Sequence, residues 1–171
     1  MPHITQHDVR NIPERKRMVN ADLFVSEVAI SEMLDHAEKG ASENAEVMGL
    51  LVGHVYKDDK GIYAEADKSV TARLHADEVS VRFDHSDMIR LFDALDDLDF
   101  EYMIVGWYHS HIGIGCFMSE TDIQTHSSVF GESGFAVVID PIKEELKVFK
   151  GSENGTEEAS MVVMETHTHM A

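Results

Sequence analysis

Tyr102-Met103-Ile104-Val105-Gly106-Trp107-Tyr108-His109-Ser110-His111 is the most apolar stretch of this chain, and it ends on a pair of histidines. Branched and aromatic side chains with no charged interruption predict a buried strand. Side chains two apart on a strand lean to the same side, so His109 and His111 face one way and Ser110 the other. Two imidazoles fixed on one face are half of a tetrahedral zinc site. The plainer alternative is two partly exposed histidines at a strand end.

Downstream, seven residues separate His111 from Ser119, and Asp122 follows at the third position beyond that serine. Ser-x-x-Asp is a helix N-terminal capping signature, so a helix is predicted to start near Ser119. A helix beginning close to the strand end brings Asp122 toward the two imidazoles, and its carboxylate suits the positive end of the helix. Three protein ligands with a fourth position open to water is the composition of a catalytic zinc site. Such a site needs a general base. Neither a zincin H-E-x-x-H nor a deaminase H-x-E with a later P-C-x-x-C is present, so the base comes from elsewhere in the chain. Glu46 is the candidate: it opens Glu46-Val47-Met48-Gly49-Leu50-Leu51-Val52-Gly53 as the one acid of an otherwise apolar run. An acid in that position is either exposed at a strand end or partly buried for a purpose.

Around these motifs the pattern alternates between strand and helix. Phe24–Val25 closes a short strand, and a helix follows with Val28, Ala29, Met33, Leu34 and Ala37 on one stripe and Gly40 as its stop. Val47–Tyr56 reads as a buried strand, Asp58–Gly61 as a hairpin turn, and Ile62–Ala66 and Ser69–Arg73 as continuing sheet. Residues 74–84 have no clean period, and Ser86–Leu95 is a second helix. Phe135–Ile139 is a strand stopped by Asp140-Pro141. Leu146–Phe149 and Met161–Met164 add two more around the polar segment Gly151–Ala159. The sum is a mixed α/β domain, a central sheet flanked by helices. The boundaries read as a basic arm over 1–22, a main domain over 23–150, and an acidic turn with a C-terminal strand and tail over 151–171.

The chain has 171 residues and a formal net charge of −18, with 14 Lys+Arg against 32 Asp+Glu. That length fits one domain with a sizeable core. The anionic excess disfavours a phosphate backbone and anionic lipid alike, so neither nucleic acid nor membrane is an expected partner. Residues 1–20 hold Arg10, Arg15, Lys16 and Arg17 against Asp8 and Glu14. This basic arm is read as a flexible tail or as a segment folded back on the acidic body. One cysteine forms no internal disulfide, which points to a reducing interior or to indifference to redox, and the expected setting is cytoplasmic. No apolar run reaches the roughly 18 residues of a membrane span, and no apolar segment follows the N-terminal charges as in a secretory signal. Of the 11 histidines, the terminal pair His167 and His169 has no readable partner. His36, His54, His75, His85 and His126 read as surface or satisfied core residues.

Glu46-Val47-Met48-Gly49-Leu50, Val105-Gly106-Trp107-Tyr108-His109-Ser110-His111, Gly115-Cys116 and Ser119-x-x-Asp122 together resemble the JAMM (MPN+) zinc metalloprotease family, nearest to the proteasome-lid deubiquitinase and the signalosome deneddylase. The resemblance runs from about Val25 to Phe149 and includes Asp140-Pro141. It implies an MPN domain of deaminase-like architecture, with one catalytic Zn²⁺ bound by His109, His111 and Asp122. It further implies Glu46 as general base for the water of the metal and Ser119 as hydrogen-bond donor to the oxyanion. The implied reaction is isopeptide cleavage after the Gly-Gly tail of ubiquitin or a ubiquitin-like modifier on a substrate lysine, with a proteasome-related complex as a further partner. Residues 74–84 match an insertion that closes over the tail, and Val79, Ser80 and Val81 would bind it as an added strand.

The chain departs from the family in three places. Ile112 stands where a proline is usual, Phe117 where a tryptophan is, and Met118 where a leucine is. Losing the rigid proline predicts a looser loop over Ile112–Met118. Cys116 is read as packing rather than coordinating. Two alternatives stay open beside the isopeptidase: C-terminal processing of a sulfur-carrier or modifier precursor, and a non-catalytic MPN scaffold.

Overall fold

Leu23–Ser26 (β1) runs directly into the helix Glu27–Ser42 (α1), and the long hairpin Met48–Asp58 (β2) and Gly61–Thr71 (β3) follows. Then come Met103–Ser110 (β4), the helix Glu120–Val129 (α2), Phe135–Asp140 (β5), Glu145–Ser152 (β6), Gly155–Ala159 (β7) and Met161–Met164 (β8). The computed structural model describes residues 12–71 and 103–165. The helix expected at Ser86–Leu95 and the segment 74–84, with Val79, Ser80 and Val81, lie outside the described residues. So do the terminal histidines.

The strands form one sheet of eight in the order β7-β6-β5-β4-β2-β3-β1-β8. β1 pairs parallel with β3 and β8, and β4 pairs parallel with β5, while the remaining pairs are antiparallel. This is the mixed α/β arrangement the sequence predicts. One face packs Val105, Tyr108, Val137 and Ile139 against Ala29, Met33 and Ala37 of α1. The other gathers Met48, Leu50, Val52, Trp107 and Ala136 with Met118 and Phe130, which flank α2.

Two bulges set which side chain meets which face. Leu51 pairs with Gly106 but Val52 pairs with Ile104, so β4 carries one extra residue, Val105, at that point. The bulge puts Val105 on the α1 face while Trp107 returns to the α2 face. From there ordinary alternation carries His109 to the side of Trp107. Asp67 is the extra residue of the matching bulge in β3, where Val52 pairs with Lys68 and Gly53 with Ala66.

Helix α1 is capped by Ser26, whose Oγ accepts the Ala29 N–H at 3.0 Å. Its buried stripe is narrower than the sequence suggests: Ala29, Met33, Ala37 and Gly40 face inward, and Val28 and Leu34 flank them in the open. Gly40 does not stop the helix, which continues to Ser42. It is a close-approach glycine instead, because a Cβ there would meet Val47 Cγ1 and the Ala45 carbonyl, while the left-handed residue of the turn is Asn44 at φ 53°. The segments Ile62–Ala66 and Ser69–Arg73 are one strand, β3, which ends at Thr71 among the described residues. The polar segment Gly151–Ala159 contains β7, a strand the sequence reading missed.

The basic arm folds on the body over residues 12–22. Ile12 is buried, and the backbone around Glu14 pairs with Lys57 in a parallel β-bridge, Arg15 N–H donating to the Lys57 carbonyl and Lys57 N–H to the Pro13 carbonyl at 3.0 Å each. Arg17 lies beneath it, with Nε 2.7 Å from Asp58 Oδ2 and Nη2 2.7 Å from Asp58 Oδ1, while its guanidinium covers the Tyr63 ring at 4.7 Å. A bidentate pair of this kind adds geometric specificity, and the arm is fixed against the β2–β3 turn. Among the described residues, no helix is long and apolar enough to cross a membrane.

Candidate metal centre

β4 ends at Ser110, between β2 and β5. Met48 pairs with His109 on one side and Val138 on the other, so the imidazole leaves a strand held from both edges. His111 is fixed one step later, where its N–H donates to the Ile139 carbonyl at 2.8 Å. Ser110 points to the opposite face. Its Oγ accepts the Val47 N–H at 2.8 Å, and its own N–H donates to the Val47 carbonyl at 2.9 Å. This clamp fixes the residue next to Glu46, which is buried at the entry of β2.

The third side chain comes from α2. Ser119 is its N-cap, and the capping box is complete: Ser119 Oγ accepts the Asp122 N–H at 3.1 Å, and Asp122 Oδ2 accepts the Ser119 N–H at 3.0 Å. The same Oδ2 lies 3.1 Å from His109 Nε2 and 3.6 Å from His111 Nε2. His109, His111 and Asp122 are all buried, and their ligand atoms lie within 4.8 Å of one another. This is the one such cluster among the described residues.

The donor set fits a metal. The Gly115 carbonyl can only accept, so at 2.8 Å it takes the proton of His111 Nδ1 and leaves Nε2 for a ligand. Donors placed about 2.0–2.2 Å from a tetrahedral Zn²⁺ stand about 3.4 Å apart, and Asp122 Oδ2 stands 3.1 and 3.6 Å from the two imidazole nitrogens. Burial holds the His109 imidazole below its usual pKa, which favours the neutral form a ligand needs. Burial also presses on His111, but Asp122 and the Gly115 carbonyl outweigh it and the net direction is up. Against its own burial, Asp122 is held well below the usual carboxylate range by His109 and His111.

Glu46 lies outside the ligand cluster, yet its charge acts on His111. Cys116 is buried and also outside the cluster. Trp107 stacks on His109, ring centroids 4.5 Å apart, and Phe117 tilts against His111 at 4.9 Å. Trp107 Nε1–H donates to Nδ1 of the fully buried His126 at 3.0 Å. His126 sits one helical turn beyond Asp122, so this bond ties α2 to β4.

Sequence reasoning missed Asp140. It read as a strand stop and as part of the family resemblance, but its buried carboxylate accepts the N–H groups of Gly113, Gly115, Ile142 and Lys143. The loop Ile112–Met118 therefore has an anchor in place of the missing proline. The signal available was the Asp-Pro pair with two glycines upstream, Gly113 and Gly115, both at positive φ (76° and 90°).

Comparison with known proteins agrees with this geometry. Residues 20–131 match the model of the JAB1/Mov34/MPN/PAD-1 ubiquitin protease family. The COP9 signalosome complex subunit 5 of Kluyveromyces lactis is 37% identical over 125 residues, which are 70% of this chain and 31% of that protein. The ubiquitin carboxyl-terminal hydrolase RPN11 of Saccharomyces cerevisiae is 31% identical over 127 residues, 71% of this chain and 39% of its own length. The chain thus spans about a third of the curated relatives it matches. A solution structure from Desulfitobacterium hafniense superposes with a TM-score of 0.63 at 21% identity, covering 86% of this chain and 97% of that one, a likeness of fold.

Proposed function

Because the chain belongs to the JAB1/Mov34/MPN/PAD-1 ubiquitin protease family, we propose that it is a zinc-dependent isopeptidase acting on conjugates of ubiquitin or a ubiquitin-like protein. It cleaves after the Gly-Gly tail of the modifier, at the bond to a substrate lysine. The observation that carries this reading is the convergence of His109 Nε2 and His111 Nε2 on a single oxygen of Asp122, at 3.1 and 3.6 Å. The relatives, a signalosome subunit and a ubiquitin carboxyl-terminal hydrolase, support the substrate class. A further relative, the 26S proteasome regulatory subunit RPN11 of Candida glabrata, supports a setting near a proteasome-related complex.

A zinc ion held by these three residues supplies Lewis acidity and lowers the pKa of water to about 7. Glu46 accepts the proton of the attacking water and returns it to the departing lysine amine. Its buried position keeps the carboxylate out of bulk solvent. Ser119 Oγ already accepts the Asp122 N–H, so its own hydroxyl proton remains to be donated to the oxyanion.

The test is a panel of ubiquitin-like proteins from the source organism, each linked to a lysine through an isopeptide bond, incubated with the zinc-loaded chain. Release of the modifier that stops with a chelator and with Glu46→Gln is the expected result. Cleavage of linear precursors or thiocarboxylate tails alone would replace the lysine isopeptide with C-terminal processing. A metal-loaded chain that cleaves nothing in the panel would favour a scaffold.

A further inference from the structure

We infer that Asp140 is a positioning residue of the centre, which sets His111 for metal binding through the backbone of Gly115. The inference rests on the reading of His111 as a ligand and adds the device that orients it.

Asp140 ends β5 with its side chain fully buried. Four backbone N–H groups converge on it. Among the described residues, Oδ1 accepts from Gly113 at 3.0 Å and from Ile142 and Lys143 at 3.1 Å each, and Oδ2 accepts from Gly115 alone at 2.7 Å. A buried carboxylate is tolerable only when it is hydrogen-bonded in this way. The division of labour between its two oxygens matters. One oxygen fastens the turn after β5 and the start of the loop. The other holds a single residue, and that residue's carbonyl takes the Nδ1 proton of His111 at 2.8 Å. The relay runs carboxylate, Gly115 N–H, Gly115 carbonyl, imidazole, and it ends with Nε2 directed at Asp122. Outer groups that fix the tautomer of a metal-binding histidine are usually carboxylates or carbonyls in direct contact. Here the carboxylate acts one residue away, by fixing the backbone of Gly115 on either side of its Cα.

Asp140→Asn is the discriminating change because it keeps the shape and removes one acceptor. Its amide oxygen can hold the group of three donors, but the NH₂ then faces the Gly115 N–H and releases it. Zinc affinity, measured by chelator competition, is expected to fall about 10- to 100-fold. In the cobalt-loaded protein, the paramagnetically shifted ring N–H signal of His111 is expected to broaden through solvent exchange, while that of His109 stays sharp. Val148→Ala, a core change in the neighbouring strand β6, should lower the melting temperature and move neither readout. If Asp140→Asn does not fold, Gly115→Ala serves instead, since φ 90° strains alanine while leaving the carboxylate intact. Unchanged affinity and an unchanged His111 signal in whichever variant folds would overturn the inference. Wild-type protein that binds metal but cleaves no conjugate overturns only the proposed reaction. Wild-type protein that binds neither zinc nor cobalt overturns the centre and this inference together.

Discussion

The indole of Trp107 lies flat against the imidazole of His109, with ring centroids 4.5 Å apart and planes 24° from parallel. Trp107 is the chain's single tryptophan, so the tryptophan emission comes from a ring stacked on a candidate ligand. Titrating metal-free protein with Co²⁺ should quench the emission at one equivalent, and a chelator should restore it. His109→Ala should abolish the response. Quenching that persists in His109→Ala would place the ion elsewhere.

Metal binding should also stabilise the fold. A ligand bound only by the native state at 100 times its dissociation constant adds about 2.7 kcal/mol. Zinc should therefore raise the melting temperature by several degrees. Asp122→Ala should remove that rise and also lower the metal-free baseline, since it breaks the capping box with Ser119. Differential scanning calorimetry with and without chelator separates the two effects. A zinc-dependent rise that survives in Asp122→Ala would remove this carboxylate from the ligand set.

Ser119 has two jobs that one substitution can split. As N-cap it holds the Asp122 N–H, and Ser119→Ala should cost about 1 kcal/mol of stability. As oxyanion donor its loss should lower kcat about 10²- to 10³-fold. Zinc content should stay at one per chain. Glu46→Gln should likewise keep zinc and lose turnover, but with no cap lost. A Ser119→Ala enzyme with full kcat and reduced stability would leave the serine as a cap only.

The His-x-His pair and Ser-x-x-Asp were legible because each obeys a local period, two along a strand and three across a helix start. Both follow from backbone geometry within a few residues. Asp140 was not legible as an anchor, since its loop partners Gly113 and Gly115 lie 27 and 25 residues away. The Ser110 clamp on Val47 spans 63 residues and was hidden for the same reason. β7 was missed because Gly155–Ala159 is an edge strand with largely solvated side chains, so no apolar alternation marks it. Val28 and Leu34 misled because an apolar stripe at helical spacing predicts burial, whereas α1 meets the sheet only along the narrower line Ala29, Met33, Ala37 and Gly40.

His126 gives the metal-free protein a specific acid sensitivity. Burial pulls its pKa down from 6.5 to about 4, and Trp107 Nε1–H occupies Nδ1, which must stay unprotonated to accept. The unfolded chain takes up this proton below about pH 6.5, while the native chain refuses it until about pH 4. Between those values the unfolded state binds more protons, so stability falls as pH drops, by about 3 kcal/mol over the full window. His126→Gln keeps an acceptor for the indole and removes the titration. Urea unfolding in chelator at pH 7.5 and pH 4.5 should therefore show a loss about 2–3 kcal/mol larger for the wild type than for His126→Gln. His126→Leu leaves the indole N–H without its acceptor and should cost about 1–3 kcal/mol at either pH. Equal acid losses in wild type and His126→Gln would mean that native His126 titrates normally and that the Trp107 bond does not hold α2 to β4.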